Sequence, residues 1–262
     1  MKKVMGVSLL LILAALCVML LGLRSQEESA AGIQRPVLLL TQRDTGAYFM
    51  QLRQGILKAL EEQNCTLSTQ IVDPAAMTDV LWGGIEYSGV LIYIQDETLR
   101  QQTLRSAREQ GMPIALIDAH EEGVPSVEQD GAQYAALASG AAAKAERVIC
   151  LGGSEPLRKA AKSVLRSRWL DAQSVDPGAA SCAVMALDEE TAARLLQEKA
   201  EGQWTQPLIL VNPGEGAASW LETGHVHAVV LPSPYATGYI AASQALWNKN
   251  GQGYRAPAFV VT

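Results

Sequence analysis

The sequence predicts an α/β protein built on parallel sheets and preceded by a single membrane-spanning helix. Three observations carry this expectation. Short, continuously apolar runs, such as residues 37–40 and 89–94, have the pattern of parallel strands covered on both faces. Between such runs lie amphipathic stretches: Phe49, Leu52, Ile56 and Leu60 recur every three or four positions, with Arg53, Lys58, Glu61 and Glu62 on other faces. Finally, residues 4–23 contain no charge.

As a helix rising about 1.5 Å per residue, 4–23 is long enough to cross a hydrocarbon core of roughly 30 Å. Lys2 and Lys3 precede it, whereas Arg24 is followed by Glu27 and Glu28, so the positive-inside bias keeps the N-terminus cytoplasmic and the rest outside. The run is longer than the apolar region of a cleaved signal, and Gly22-Leu23-Arg24-Ser25 makes a poor cut site; Ser29-Ala30-Ala31 offers a late one. Leu16 precedes Cys17 where a lipobox needs a small side chain, so Cys17 is read as an ordinary membrane cysteine. Residues 1–24 are therefore expected to be a signal anchor. Polar, small residues 25–35 suit a tether, and the folded part begins at Pro36.

The expected elements then follow in order. Strand 37–40 leads into the Phe49–Leu60 helix, strand 66–72 into a helical stretch near 75–82, and 89–94 is a third buried strand. Helix 97–110 is stopped by Gly111 and Pro113, and strand 113–117 follows, with a short strand at 126–128. The second half repeats the alternation: helix 133–144, strand 147–151, helix 156–170 and strand 182–187. Asp188 then caps a helix carrying Ala192, Leu195 and Leu196, with Glu189 and Glu190 at its positive end. Strand 207–211, a helix near 217–221, strand 227–231, a helix through Tyr239, Ala242 and Leu246, and strand 259–261 complete the chain. Strands spaced between amphipathic helices imply right-handed crossovers and parallel sheets.

Composition excludes several functions. At 262 residues and 48% hydrophobic, the chain can fill one large core or two small ones. A net charge of −6 with no cluster of Lys and Arg leaves no footprint for nucleic acid. Outside the apolar run, Cys65, Cys150 and Cys182 lack C-x-x-C spacing, and their odd number leaves room for at most one disulfide among them.

Five segments taken together resemble the type 1 periplasmic binding proteins of the ribose- and galactose-binding kind, which also supply the effector domains of LacI-like repressors. Leu38-Leu39-Leu40-Thr41-Gln42, then Tyr48-Phe49 and Leu52-Arg53-Gln54-Gly55-Ile56, are similar to the family's first strand, aromatic pair and glycine-bearing helix. Gly89-Val90-Leu91-Ile92-Tyr93 with Gln95-Asp96 resembles its "dGiii" strand, and 111–118 (GMPIALID) its "GiPvvliD" strand entering the hinge. Val127-Glu128-Gln129-Asp130-Gly131 resembles the segment that opens the second lobe. Asn212-Pro213, 220–228 (WLETGHVHA), Pro234 and Gly238 follow the family's ending.

The resemblance implies two Rossmann-like lobes joined by a multi-strand hinge. One lobe comprises 36–118 plus about 233–257, and the other 119–232 plus about 258–262. It implies a small polar, sugar-like solute held between them for an ABC permease or a membrane sensor, and no cofactor or metal. Departures accompany it: 182–212 has room for one strand-helix step, as though a unit were lacking. Asn212 stands where the family has an Asp, Pro232 and Ser233 where it has a Gln, and Ala119 where it has a basic residue. A degenerate fold serving as a scaffold, without a small ligand, is the alternative.

Ligands of such sheets bind beyond the carboxyl ends of the strands. The candidate binding residues are accordingly Arg43, Asp44, Tyr48, Gln95, Asp96, Asp118, Gln129, Asp130, Asn212, Ser233 and Tyr235, with His120 beside them. Amides and carboxylates pair with hydroxyls, Arg43 suits a carboxylate or phosphate, and Tyr48 suits stacking; Phe49 begins an apolar stripe and reads as core. Against this stands the ordinary preference of Asp, Asn and Gln for strand ends and caps.

An enzyme has little to stand on. His225 and His227 share a strand face, and with Asp118 and His120 they would make a metallohydrolase set, but the pair sits where strand 227–231 begins, away from the carboxyl end where such folds place their chemistry. Gly152-Gly153-Ser154 lacks phosphate-loop spacing and reads as a tight turn, and no G-x-S-x-G elbow is present.

Overall fold

The computed structural model describes residues 35–42, 46–72, 84–172, 174–175, 181–214 and 217–262. The expected membrane helix at 4–23, the tether to residue 34, the helical stretch near 75–82 and the candidates Arg43 and Asp44 lie outside the described residues. Among the described residues no helix is long and apolar enough to cross a membrane.

Strands β1 (Val37–Thr41), β2 (Leu67–Ile71), β3 (Gly89–Tyr93), β4 (Ile114–Ile117), β5 (Ser126–Gln129) and β11 (Gly253–Ala256) form one sheet, in the order β11-β5-β4-β3-β1-β2 with every pair parallel. Strands β6 (Arg147–Leu151), β7 (Trp169–Asp171), β8 (Cys182–Ala186), β9 (Leu208–Val211), β10 (Ala228–Pro232) and β12 (Ala258–Val261) form a second, in the order β12-β10-β9-β8-β6-β7. Only β12 in that sheet runs antiparallel, with Val229 opposite Val261 and Pro232 opposite Ala258.

Each sheet is covered on both faces because its strands are apolar at consecutive positions. Leu39 and Leu91 point into one core with Phe49, Leu52 and Ile56 of α1 (Ala47–Glu62). Leu38, Leu40, Val90 and Ile92 point the other way, against Leu99 and Leu104 of α2 (Glu97–Glu109). In the second lobe, Val148, Cys150 and Met185 pack under α3 (Gly131–Ala141) and α4 (Glu155–Leu165). Ile149, Val184 and Leu210 pack against Ala192 and Leu195 of α5 (Glu189–Ala200), and Ala217 of α6 (Ala217–Glu222) joins them. Among the described residues no disulfide links Cys65, Cys150 or Cys182.

In the first lobe, α1 lies directly on α7 (Pro234–Ile240), which continues as a π turn over Ala241–Ala245. The contact is backbone to backbone: a Cβ on Gly55 would collide with the carbonyl oxygen of Tyr235, and one on Gly238 with that of Leu52.

The chain passes between the sheets three times, at Asp130 between β5 and α3, at Ser233 between β10 and α7, and at Pro257 between β11 and β12. Ser233 N–H donates to Pro257 O at 3.1 Å, joining two of these crossings side by side. Ala258 N–H donates to Gln133 Oε1 at 3.0 Å, tying the third to α3.

Two sequence expectations are corrected here. β5 pairs with β4 and β11 in the first sheet, so the first crossing follows Gln129 and not Asp118. Nor does the second sheet lack a strand: its parallel strands follow the same order as the first, with β8 and α5 as the third unit.

Candidate functional site

The carboxyl end of β4 places Asp118 in a left-handed conformation, φ 53°, while its N–H still donates to Val127 O at 2.8 Å. Only Gly, Asn and Asp adopt this geometry readily. The turn aims the carboxylate at α1, where the Tyr48 hydroxyl donates to Oδ2. The Tyr48 ring packs beside Tyr93 at the end of β3, centroids 6.1 Å apart, and Phe49 is buried in the core as expected. Burial pushes the Asp118 carboxyl up to about 6, although hydrogen bonds from Tyr48 and Gln129 favour its charged form. Burial and the neighbouring carboxylate likewise push the Tyr48 phenol far up, so it remains a donor. Asp118 Oδ1 is buried with no hydrogen-bond partner among the described residues.

Gln129 ends β5 just before the first crossing. Its amide interacts with Tyr48 and Asp118, and its Oε1 accepts a long bond, 3.4 Å, from Asn212 Nδ2. Asn212 follows β9 in the second sheet, also left-handed, with φ 49°. Tyr48, Asp118, Gln129 and Asn212 thus form a polar chain leading from one lobe to the other.

Beside it lies a cavity of about 670 Å³. Glu128, Gln129 and Arg255 enter it from the first sheet, Asp130 from the crossing, and Tyr134, Ser154, Asp188, Glu189 and Asn212 from the second lobe. Asp130 is the N-cap of α3, accepting from Ala132 N at 2.9 Å and Gln133 N at 3.3 Å. Asp188 caps α5 through Thr191 N at 2.7 Å and also accepts from Gly153 N–H, so the Gly152–Gly153 turn folds around a carboxylate of the protein's own. Burial works to raise Asp188, but these bonds outweigh it and hold the carboxyl below its ordinary value. Glu128 bridges Arg255 Nη1 at 3.1 Å and His120 Nδ1 at 2.8 Å.

Of the sequence-predicted residues, then, the structure gathers Tyr48, Asp118, Gln129, Asp130 and Asn212. The other described candidates stand apart. Asp96 caps α2 through Leu99 N at 2.7 Å, and the N–H groups of Gln95 and Asp96 both donate to Gln42 Oε1, at 2.8 and 3.0 Å. Ser233 sits in a crossing without capping α7, and Tyr235 is exposed on the outer face of α7 beside Lys58 and Tyr239. His225 and His227 join no metal set; no group of three or more His, Cys, Asp or Glu is placed to hold a metal among the described residues. The sequence reading missed Tyr134, Glu189 and Arg255. Tyr134 could have been found, because it lies one helical turn beyond Asp130 and so shares its face.

Two doubly covered parallel sheets, joined by three crossings and flanking a polar cavity, have many solved counterparts. The chain has the type 1 periplasmic-binding-protein fold. AraP, an arabinose-binding protein from Geobacillus stearothermophilus, superposes with a TM-score of 0.69 at 12% identity, covering 87% of this chain and 97% of its own. A periplasmic ribose ABC transporter protein from Conexibacter woesei gives 0.68 at 16% identity, covering 87% and 91%. XylFII in the XylFII–LytSN complex gives 0.68 at 18%, covering 87% and 97%. No family model and no curated protein sequence matches the chain. The type 1 fold is therefore shared at an identity too low to carry over the ligand of any of these proteins.

Proposed function

We propose that the chain is an extracytoplasmic solute-binding protein, not an enzyme, that captures a small polar, hydroxyl-rich ligand at the hinge between its lobes. The observation that carries this reading is the cavity itself, which draws hydrogen-bonding side chains from both sheets. A ligand that touches both lobes only when they are shut stabilises the closed form, and closure is the signal that a membrane partner reads. That partner is an ABC permease or a membrane sensor. Supporting this, the structural neighbours include sugar components of ABC transporters and one protein solved in complex with LytSN. The uncharged run 4–23 supports a single-pass tether with residues 36–262 outside.

A thermal-shift screen against sugars, polyols, nucleosides and amino acids tests the capture reading: a ligand at about 100 times its Kd stabilises by roughly 2.7 kcal/mol. Silence across the panel favours the scaffold alternative. One observation speaks for that alternative: the Tyr48 hydroxyl is already spent on Asp118 Oδ2, which leaves the first lobe fewer unengaged groups for a ligand. The tether is tested by alkaline extraction of membranes; release of the intact chain into the soluble fraction overturns it.

A further inference from the structure

The hinge cavity is one-sided in charge. Among the described residues, Glu128, Asp130, Asp188 and Glu189 line it against a single basic residue, Arg255, which is already bonded to Glu128. The helix N-termini that open on this space would ordinarily attract an anion. Here that capacity is used internally. Asp130 takes up the first N–H groups of α3, and Asp188 takes up those of Gly153 and Thr191. What the cavity still offers is acceptor capacity, above all at Glu189, which has no cationic partner among the described residues.

A second, independent observation points to a ligand. Tyr134 lines the same cavity, is only 3% exposed, and its hydroxyl has no hydrogen-bond partner among the described residues. A buried phenol left unpaired is costly, and a polar group of a bound molecule would relieve it. The acids are not placed to share one metal ion, since no metal-holding set of three exists among the described residues. An extended organic cation fits where a point charge does not.

We propose that the solute carries a protonated amine as well as hydroxyls: an amino sugar or a similar aminated polyol. Its ammonium is held by Glu189 and Asp188, and the Tyr134 hydroxyl meets one of its polar groups. This rests on the capture reading above and narrows it.

Isothermal titration of the full chain in detergent, at mildly acidic pH, with D-glucosamine and D-galactosamine against D-glucose and D-galactose, separates the two. The amines should bind at least about tenfold more tightly than their parents, the value of one charge-assisted hydrogen bond, and raised salt should shrink the gap. Glu189→Gln keeps the side chain's volume and its acceptor oxygen in an exposed first turn, and should remove about tenfold from the amines and markedly less from the parents, so that the preference for the amines shrinks. Tyr134→Phe should weaken both classes. Parent sugars that bind as well as the amines overturn the amine while leaving solute capture standing. An unchanged preference in Glu189→Gln overturns the assigned carboxylate, and no binding by any probe here or in the wider panel overturns both readings.

Discussion

Replacing Asp118 with asparagine should stabilise the protein at neutral pH, and the gain should fade in acid. Burial is the largest influence on this carboxyl and lifts it from 3.8 to about 6. The folded state therefore binds the proton more tightly than the unfolded state does. Stability from this group is fully present below about 3.8 and is lost as pH rises through about 6. The span, 6 − 3.8, or about 2.2 pH units, corresponds to roughly 3 kcal/mol. Asparagine keeps the acceptor for Tyr48 and tolerates the φ of 53°, while its amide donor falls at the buried Oδ1 position as an offset that does not vary with pH, so the pH-dependent part of the difference reports the charge. Glu128 and Asp188 are held low and act in the opposite sense, so the informative quantity is the difference between the two proteins at each pH. Urea unfolding at intervals between about pH 4 and 7 measures it. The difference should move toward the variant by up to about 3 kcal/mol across that range. A difference that stays flat, or drifts toward the wild type, refutes the claim that a desolvated anion is held beside Tyr48.

Three further substitutions probe other contacts. Gly55→Ala drives a methyl into the Tyr235 carbonyl and should cost at least about 1–3 kcal/mol, or several degrees in calorimetric Tm; an unchanged Tm would show that α1 and α7 can part without penalty. Asp96→Ala removes the cap of α2 and should cost about 1 kcal/mol while leaving ligand affinity untouched, so a fall in affinity in titration calorimetry would move Asp96 into the site. Asp188→Ala loses the bonds to both Gly153 and Thr191, at about 1–2 kcal/mol near neutral pH. Because that carboxyl is held low when folded, its contribution exists above the ordinary carboxylate range and disappears as pH falls through the lowered value. Urea midpoints of variant and wild type should therefore converge in strong acid.

What could be read from the sequence was whatever burial writes locally. The continuous runs in β1, β3, β6, β8, β9 and β10 sit where expected, because a strand covered on both sides must be apolar at every position. Gly253–Ala256 escaped notice for the converse reason: β11 is an edge strand whose Tyr254 and Arg255 remain partly open, so its residues carry no apolar signature. The lobe boundary was misplaced because β5 is short and half polar, Ser126-Val127-Glu128-Gln129, and nothing local says which sheet it will join. For the site, residue type alone could not separate caps from candidates. Asp96 and Asp130 look alike in sequence, each preceding a helix, and both cap; only the fold brings Asp130 to the cavity. Tyr134 and Glu189 acquire meaning only once α3 and α5 start from the same space.

The placement of β11 in one sheet and β12 in the other bears on how the polypeptide reaches its native state. Neither half is a continuous stretch of chain, and each receives its sixth strand from the segment spanning Gly253 to Val261. During synthesis both halves must therefore wait, with β5 and β10 lacking their outer neighbours, until that segment emerges. Such long-separated pairings form slowly and leave strand borders open to wrong partners in the meantime. A stop a dozen or so residues early would strip both halves at once, so damage at this end of the gene should yield an aggregating product and not a protein with one sound half.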